Sequence, residues 1–306
     1  MRVPDRVIKN LLHGACPERQ AELNEFYRRN QPTFELLQDR RGTTMSALHN
    51  RVSWTHKTVV HDWLLAFSGW KVFVAYSPLI ITAKITTGEL TQDLFAADEE
   101  LHEAEQAFDE VNYCARLARE VESFDDVPWP VSIPQVTDDR ESMSTVDGKA
   151  AFDLACISVA ATFLHEMRHV QFWNDQNAPS DPQEEERACD SFSRSFLLDR
   201  VADYSLSTGE SADRVTSKRI MGLATAAYTI DEATPKDLAA SISDTHPPTP
   251  ERFKSLVLDA TAPDDAHCWT YTASLLLASI RRSRRLPSNL QFSSSRDLSE
   301  KLVGLL

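Results

Sequence analysis

Glycine is scarce in this chain: eight in 306 residues. A β-rich fold with many tight turns would need more of them, because Gly supplies the positive-φ positions of such turns. Cysteine is scarce as well. Cys16, Cys114, Cys156, Cys189 and Cys268 are odd in number and form no C-x-x-C pair. That argues against a disulfide framework or a cysteine-rich structural zinc site, and it suits reduced thiols in a reducing compartment. Basic residues are outnumbered, 32 Lys and Arg against 46 Asp and Glu, for a formal net charge of −14. The balance argues against a general affinity for nucleic acid or anionic membrane surfaces. The opening Met1-Arg2-Val3-Pro4-Asp5-Arg6 lacks the apolar core of a signal peptide, so the expected location is cytoplasmic. There is no internal repeat and no low-complexity tract. One long apolar run stands out, residues 63–83, with Lys71 as its only charge. Its length is close to the roughly 20 residues that cross a bilayer. Gly69, Lys71 and Pro78 interrupt it, and a buried helix followed by a strand explains it as well.

What is present reads as mainly α with a small sheet. Residues 7–29 form a helix, with a possible break at Pro17; residues 34–37 form a short strand or helix fragment, and Arg40-Arg41-Gly42 marks a turn. His56 and His61 are five apart, a poor spacing for one helical face, so no second metal site is expected there. Trp54, Trp63, Phe67, Trp70, Phe73 and Tyr76 read as core. Residues 94–123 form a long amphipathic helix with a solvated acidic face. Residues 127–136 carry Pro128, Pro130 and Pro134, which excludes a central strand and leaves an edge strand or an extended loop. Residues 137–148 are polar, a loop or linker. Further helices are expected at 213–228, 250–258, 266–280 and 295–306. The basic cluster Arg281, Arg282, Arg284 and Arg285 falls where a helix C-terminus favours positive charge.

Between these lies Leu164-His165-Glu166-Met167-Arg168-His169-Val170, an H-E-x-x-H within an apolar stretch, residues 151–173, free of Pro and Gly. On a helix, residues four apart share a face. His165 and His169 can therefore bind one metal ion, with Glu166 beside it to act on water. A catalytic zinc needs a third protein ligand and one open position. Downstream, a run of Asn, Asp, Pro and Ser reads as a loop, and Asp181-Pro182-Gln183-Glu184 reads as a helix start. On that second helix Ala188, Phe192 and Phe196 have the spacing of an inner face. Glu186 and Asp190 are one turn apart. Folded back as a hairpin, the helix lets Glu186 supply the third ligand and Asp190 accept the other ring N–H of a ligating histidine. Successive helical positions point about 100° apart, so only one of Glu185 and Glu186 can face the metal. Glu185 is expected to share a face with Cys189 and Phe192 and to be dispensable. Cys189 is expected on a different face from Glu186.

This arrangement resembles the gluzincin metallopeptidases. Glu186-Arg187-Ala188-Cys189-Asp190-Ser191-Phe192 looks like their E-x-x-A-D-x-F signature, with Cys189 where Ala is usual. Thr245-His246-Pro247-Pro248-Thr249-Pro250-Glu251-Arg252 is similar to a T-H-P-x-x-x-x-R element found near the end of several of them. The order of elements is most similar to the phage-exclusion peptidases of the Lit type (peptidase U49), with the ImmA/IrrE-type peptidases close behind. The resemblance implies an α+β zincin-like core over residues 146–306, its two ligand-bearing helices packed as a hairpin beside a small edge sheet, with 127–136 as the candidate edge strand. Residues 1–145 are then an N-terminal, mostly helical region of unknown role. It implies a Zn²⁺ peptidase with His165, His169 and Glu186 as ligands, Glu166 as general base, and His246, then Arg252, as oxyanion donors. Its partners would be a protein or peptide substrate and an activating peptide or protein, with no nucleic acid and no membrane. Its role would lie in phage exclusion or a stress response. The rival reading is a catalytically silent sensor or regulatory binding module. The intact Glu166 speaks against it, since a non-catalytic site has no use for a general base.

Overall fold

A computed structural model describes residues 5–39, 42, 44–95, 99–233, 246–283 and 286–306. Helices α1 (Asp5–Ala15) and α2 (Gln20–Asn30) are separated by a 3-10 turn at Pro17–Arg19. The break falls at Pro17 because its ring nitrogen has no N–H to carry the ladder on. Strands β1 (Thr33–Leu37), β2 (Met45–Leu48) and β3 (Arg51–Thr55) form a sheet in the order β1-β3-β2. β1 runs parallel to β3, with Phe34 opposite Val52. β2 runs antiparallel to it, with Ala47 opposite Val52. β2 is thus an edge strand. Arg40 and Arg41 of the expected turn lie outside the described residues.

The long apolar run is neither a helix followed by a strand nor two elements. It is one helix, α3 (His56–Thr86), that passes through Pro78. Val72, Tyr76, Ile80 and Ala83 lie on one buried stripe across the proline, and that burial outweighs the hydrogen bond Pro78 cannot donate. β4 (Glu89–Thr91) follows, then α4 (Glu99–Glu120) on the flank of α3. Residues 127–136 do not form the expected edge strand; they are bends and turns without strand pairing. Three prolines remove ladder donors, and Trp63 and Trp129 take backbone acceptors there through their indole N–H groups, to Pro134 O and Ile133 O.

α5 (Val146–Asp175) is the organising element. Thr145 caps it, its Oγ1 accepting from the Gly148 N–H at 2.9 Å. α1, α3, α6 (Pro182–Leu198), α8 (Ala212–Ala233) and β2 all pack on it, so it is apolar on most of its circumference, as a buried helix must be. α7 (Val201–Thr208), α9 (Thr249–Phe253) with a following π-helical turn at Lys254–Leu258, α10 (His267–Arg282), β5 (Asn289–Gln291, paired with β4) and α11 (Ser295–Val303) complete the chain. The last helix ends three residues before the expected 306. Arg281 and Arg282 do sit in the last turn of α10, where they pair with Glu105 and Glu232. Arg284 and Arg285 lie outside the described residues.

One core contains Leu12, Trp63, Tyr76, Phe163 and Trp269 together. Residues from both sides of position 145 contribute to it. Both α3 and α5 are long and apolar enough to cross a membrane, but 78% of the apolar window of α5 and 50% of that of α3 is buried within the protein.

α8 lies against α5 because Gly222 offers no side chain. A Cβ there would come within 2.4 Å of Ile157 Cγ2. Gly222→Ala is expected to cost roughly 1–3 kcal/mol, as overpacked cores do. Urea unfolding measures it, and unchanged stability would mean that α5 and α8 can part without loss.

Candidate active site

The second helix starts as its residues dictate. The Gln183 N–H donates to Asp181 Oδ1 at 3.0 Å, and Pro182 takes the first helical position. α6 then folds back on α5, fastened by Ser193 Oγ donating to Ala161 O at 2.7 Å. Its buried stripe is Glu186, Cys189, Asp190, Ser193, Phe196 and Leu197. Ala188 and Phe192 flank this stripe instead of sharing it, so the expected inner face is rotated. Cys189 stands on the same stripe as Glu186, not on a different face.

That rotation brings three acceptors to one point. His165 Nε2 and His169 Nε2 are 3.3 Å apart. Glu186 places Oε2 3.4 Å from His165 Nε2 and Oε1 3.2 Å from His169 Nε2. The opposite nitrogen of each ring is engaged elsewhere. His165 Nδ1 lies 2.8 Å from Asp190 Oδ1, and His169 Nδ1 lies 2.7 Å from Glu185 Oε1. A carboxylate only accepts, so both Nδ1 atoms carry protons, and each Nε2 of a neutral ring presents a lone pair inward. Two lone pairs and a carboxylate converging this closely repel one another unless positive charge sits between them. Protons can supply it: burial opposes charge on His165, yet its hydrogen bonds with Asp190 and Glu186 push it up to about 10. A metal ion can supply it too. Ligand atoms about 2.0–2.1 Å from a tetrahedral zinc are spaced about 3.3–3.4 Å from each other; the two Nε2 atoms are that far apart, and each has one of the two Glu186 oxygens at a similar distance. Cys189 Sγ also lies within 4.8 Å of the histidine nitrogens. Burial and the charges of Glu186, Glu166, Glu185 and Asp190 all drive its thiol pKa up, so of the two side chains Glu186 is the better third donor.

Arg252, from α9, closes the back of the cluster. Its Nε donates to Asp190 Oδ2 at 3.1 Å, and one terminal nitrogen donates to Asp190 Oδ1 at 2.9 Å and Glu186 Oε2 at 3.3 Å. Burial works against the Asp190 carboxylate, but Arg252 and His165 hold it down at about 2. The same two influences, with His169, hold Glu186 well below the usual carboxylate range against its burial. Arg252, expected from the sequence as a second oxyanion donor, is thus bonded to two carboxylates through Nε and one terminal nitrogen. His246 stands at the rim, 56% exposed, with Nε2 3.8 Å from Glu186 Oε2. Its neighbour Thr245 lies outside the described residues.

Among known families, the model for peptidase U49 matches residues 52–272, more than two thirds of the chain. The chain belongs to the peptidase U49 family. It is accordingly a peptidase, a hydrolase of peptide bonds. No curated protein and no solved structure gives a significant match. The matched span of this U49 peptidase runs from β3 into α10 and includes every residue of the cluster. The cleft that holds the cluster measures about 1100 Å³. Glu166, buried on α5 next to His165, lines it beside His165, His169 and Glu186, and β2 lines it with Met45, Ser46 and Ala47. The edge strand beside the H-E-x-x-H helix is therefore β2, which lies ahead of the matched span. A larger cavity of about 1840 Å³, lined in part by Val7, Leu11, Trp63 and Phe152, holds none of these residues.

Two features escaped the sequence reading. Glu185 is not turned away from the site: its carboxylate reaches the outer nitrogen of His169 while Glu186 reaches the inner one. Successive residues 100° apart can straddle one imidazole ring, because the ring has a nitrogen on either side. The signal was there in the count, since two histidines sharing a metal would call for two outer partners and Asp190 supplies one. The second is His61 and Asp62 at the base of the cleft. Burial lowers His61 to about 4 and raises Asp62 to about 7, and the Ser158 hydroxyl donates to Asp62. Their spacing in sequence carried no sign of this.

Proposed function

We propose that this peptidase is a zinc-dependent endopeptidase cutting a protein in the cytoplasm, in phage exclusion or a stress response, under the control of an activating peptide or protein. One observation supports the zinc reading: His165 Nε2 and His169 Nε2 stand 3.3 Å apart, and each has a Glu186 carboxylate oxygen within 3.2–3.4 Å, an acceptor cluster that one cation can hold together. His165, His169 and Glu186 would hold the ion. When bound, zinc lowers the pKa of water at its open position and polarises the scissile carbonyl. Glu166 accepts the proton of the attacking water and passes it to the leaving amine. His246, at the rim, is placed to donate to the oxyanion. Asp190 fixes the His165 ring, and Arg252 fixes both Asp190 and Glu186. Among the described residues β2 pairs with β3 alone, and its other edge would offer main-chain hydrogen bonds to an extended substrate. Reduced cysteines suit the cytoplasm: all five are free, four of them buried.

Metal content of the purified protein tests the reading. About one zinc per chain is expected, and His169→Ala should lose it. Full occupancy in that variant would overturn the ligand assignment. Comparing cleaved proteins in cells expressing wild type and a base-less variant would identify the substrate.

A further inference from the structure

We propose that Glu185 is a positioning residue for His169, setting the ring's tautomer and rotation and thereby the affinity of the metal site. The proposal rests on the zinc reading above and extends it to a residue with no place among the ligands. The simpler account of Glu185 is electrostatic, since any acid in the first turn of a helix is favoured by the dipole. Glu184 and Glu185 both meet that description, but only Glu185 has a carboxylate oxygen 2.7 Å from His169 Nδ1. The two halves of the site are unequal. His165 is held by a carboxylate 1% exposed and itself gripped by Arg252, whereas His169, more open to solvent, is held by one 28% exposed. His165 is locked by packing; His169 meets the His165 ring edge-on with centroids 5.1 Å apart and relies on Glu185 for its orientation. Without that acceptor the ring can turn over or shift its proton to Nε2. Either change removes the lone pair that faces Glu186.

Two variants and two readouts test this. Glu185→Ala is expected to weaken zinc binding about 10- to 100-fold in competition with a chromophoric chelator. The metal-free protein should stay folded with at most a small fall in melting temperature, because Glu185 is partly exposed and contributes one hydrogen bond. Glu185→Gln, whose amide oxygen still accepts the Nδ1 proton, should recover most of the affinity. In proton NMR of the metal-free protein, the downfield His169 Nδ1–H resonance should be present in wild type and Glu185→Gln and absent in Glu185→Ala. Wild-type affinity in Glu185→Ala would overturn the proposal, as would equal losses in both variants, which would assign the effect to charge alone. A wild-type protein that binds no zinc would instead defeat the zinc reading, and the NMR resonance would still report on the contact itself.

Discussion

Glu166→Gln is expected to lower the rate of peptide cleavage by about 10²- to 10⁴-fold, the share general-base catalysis commonly supplies, while zinc content and fold stay as in wild type. The residue occupies the position next to His165 on α5, lines the same cleft as the three candidate ligands, and is 8% exposed. It is not needed to complete the triangle of donors, because Glu186 does that. Glutamine keeps the shape and the capacity to accept one hydrogen bond but cannot take a proton from water. The variant therefore separates chemistry from metal binding, which no change to His165, His169 or Glu186 can do. Mass-spectrometric comparison of cleaved cellular proteins is the measurement. If expression of the wild type is toxic, this variant should relieve the toxicity. Cleavage at the wild-type rate would place the base elsewhere.

The parts of this molecule that were legible in its sequence are those governed by local rules. A long stretch free of Pro and Gly around His165 had to be a helix. Asp181-Pro182 had to start the next one, and the spacing of four from Glu186 to Asp190 had to put both on the same side. The parts that were not legible depend on what lies across the fold. β2 is four residues of ordinary composition, and it is a strand because β3 pairs with it. The Pro-rich stretch at 127–136 had the look of an edge but spends its backbone carbonyls on indole N–H groups. α3 crosses Pro78 because the stripe Val72, Tyr76, Ile80 and Ala83 is buried on both sides of it. The buried face of α6 is rotated by about one residue from the face its apolar spacing suggests, for a related reason. Large apolar side chains such as Phe192 suggest a core-facing stripe, yet here the buried stripe is chosen by polar residues, Glu186, Asp190 and Ser193, each satisfied by a partner on another helix.

Arg252→Met is expected to destabilise the metal-free protein by roughly 3–5 kcal/mol, the range for removing one partner of a buried charge pair. Methionine preserves much of the volume of the side chain, so the loss is of charge and hydrogen bonds rather than of packing. Arg252 is 7% exposed, and its guanidinium makes three hydrogen bonds, two to Asp190 and one to Glu186. Its removal leaves two carboxylates on one turn of α6 facing each other's field with less positive charge to share. Zinc should offset part of the loss, because it restores positive charge next to Glu186 while doing nothing for Asp190. Urea unfolding with and without zinc therefore gives two numbers, and the metal-free loss should be the larger. This also decides between the two roles Arg252 could hold. A donor to the oxyanion would leave stability near wild type and lower kcat alone. A clamp on Glu186 and Asp190 lowers stability and zinc affinity together, the outcome expected from the three hydrogen bonds that Arg252 makes to them.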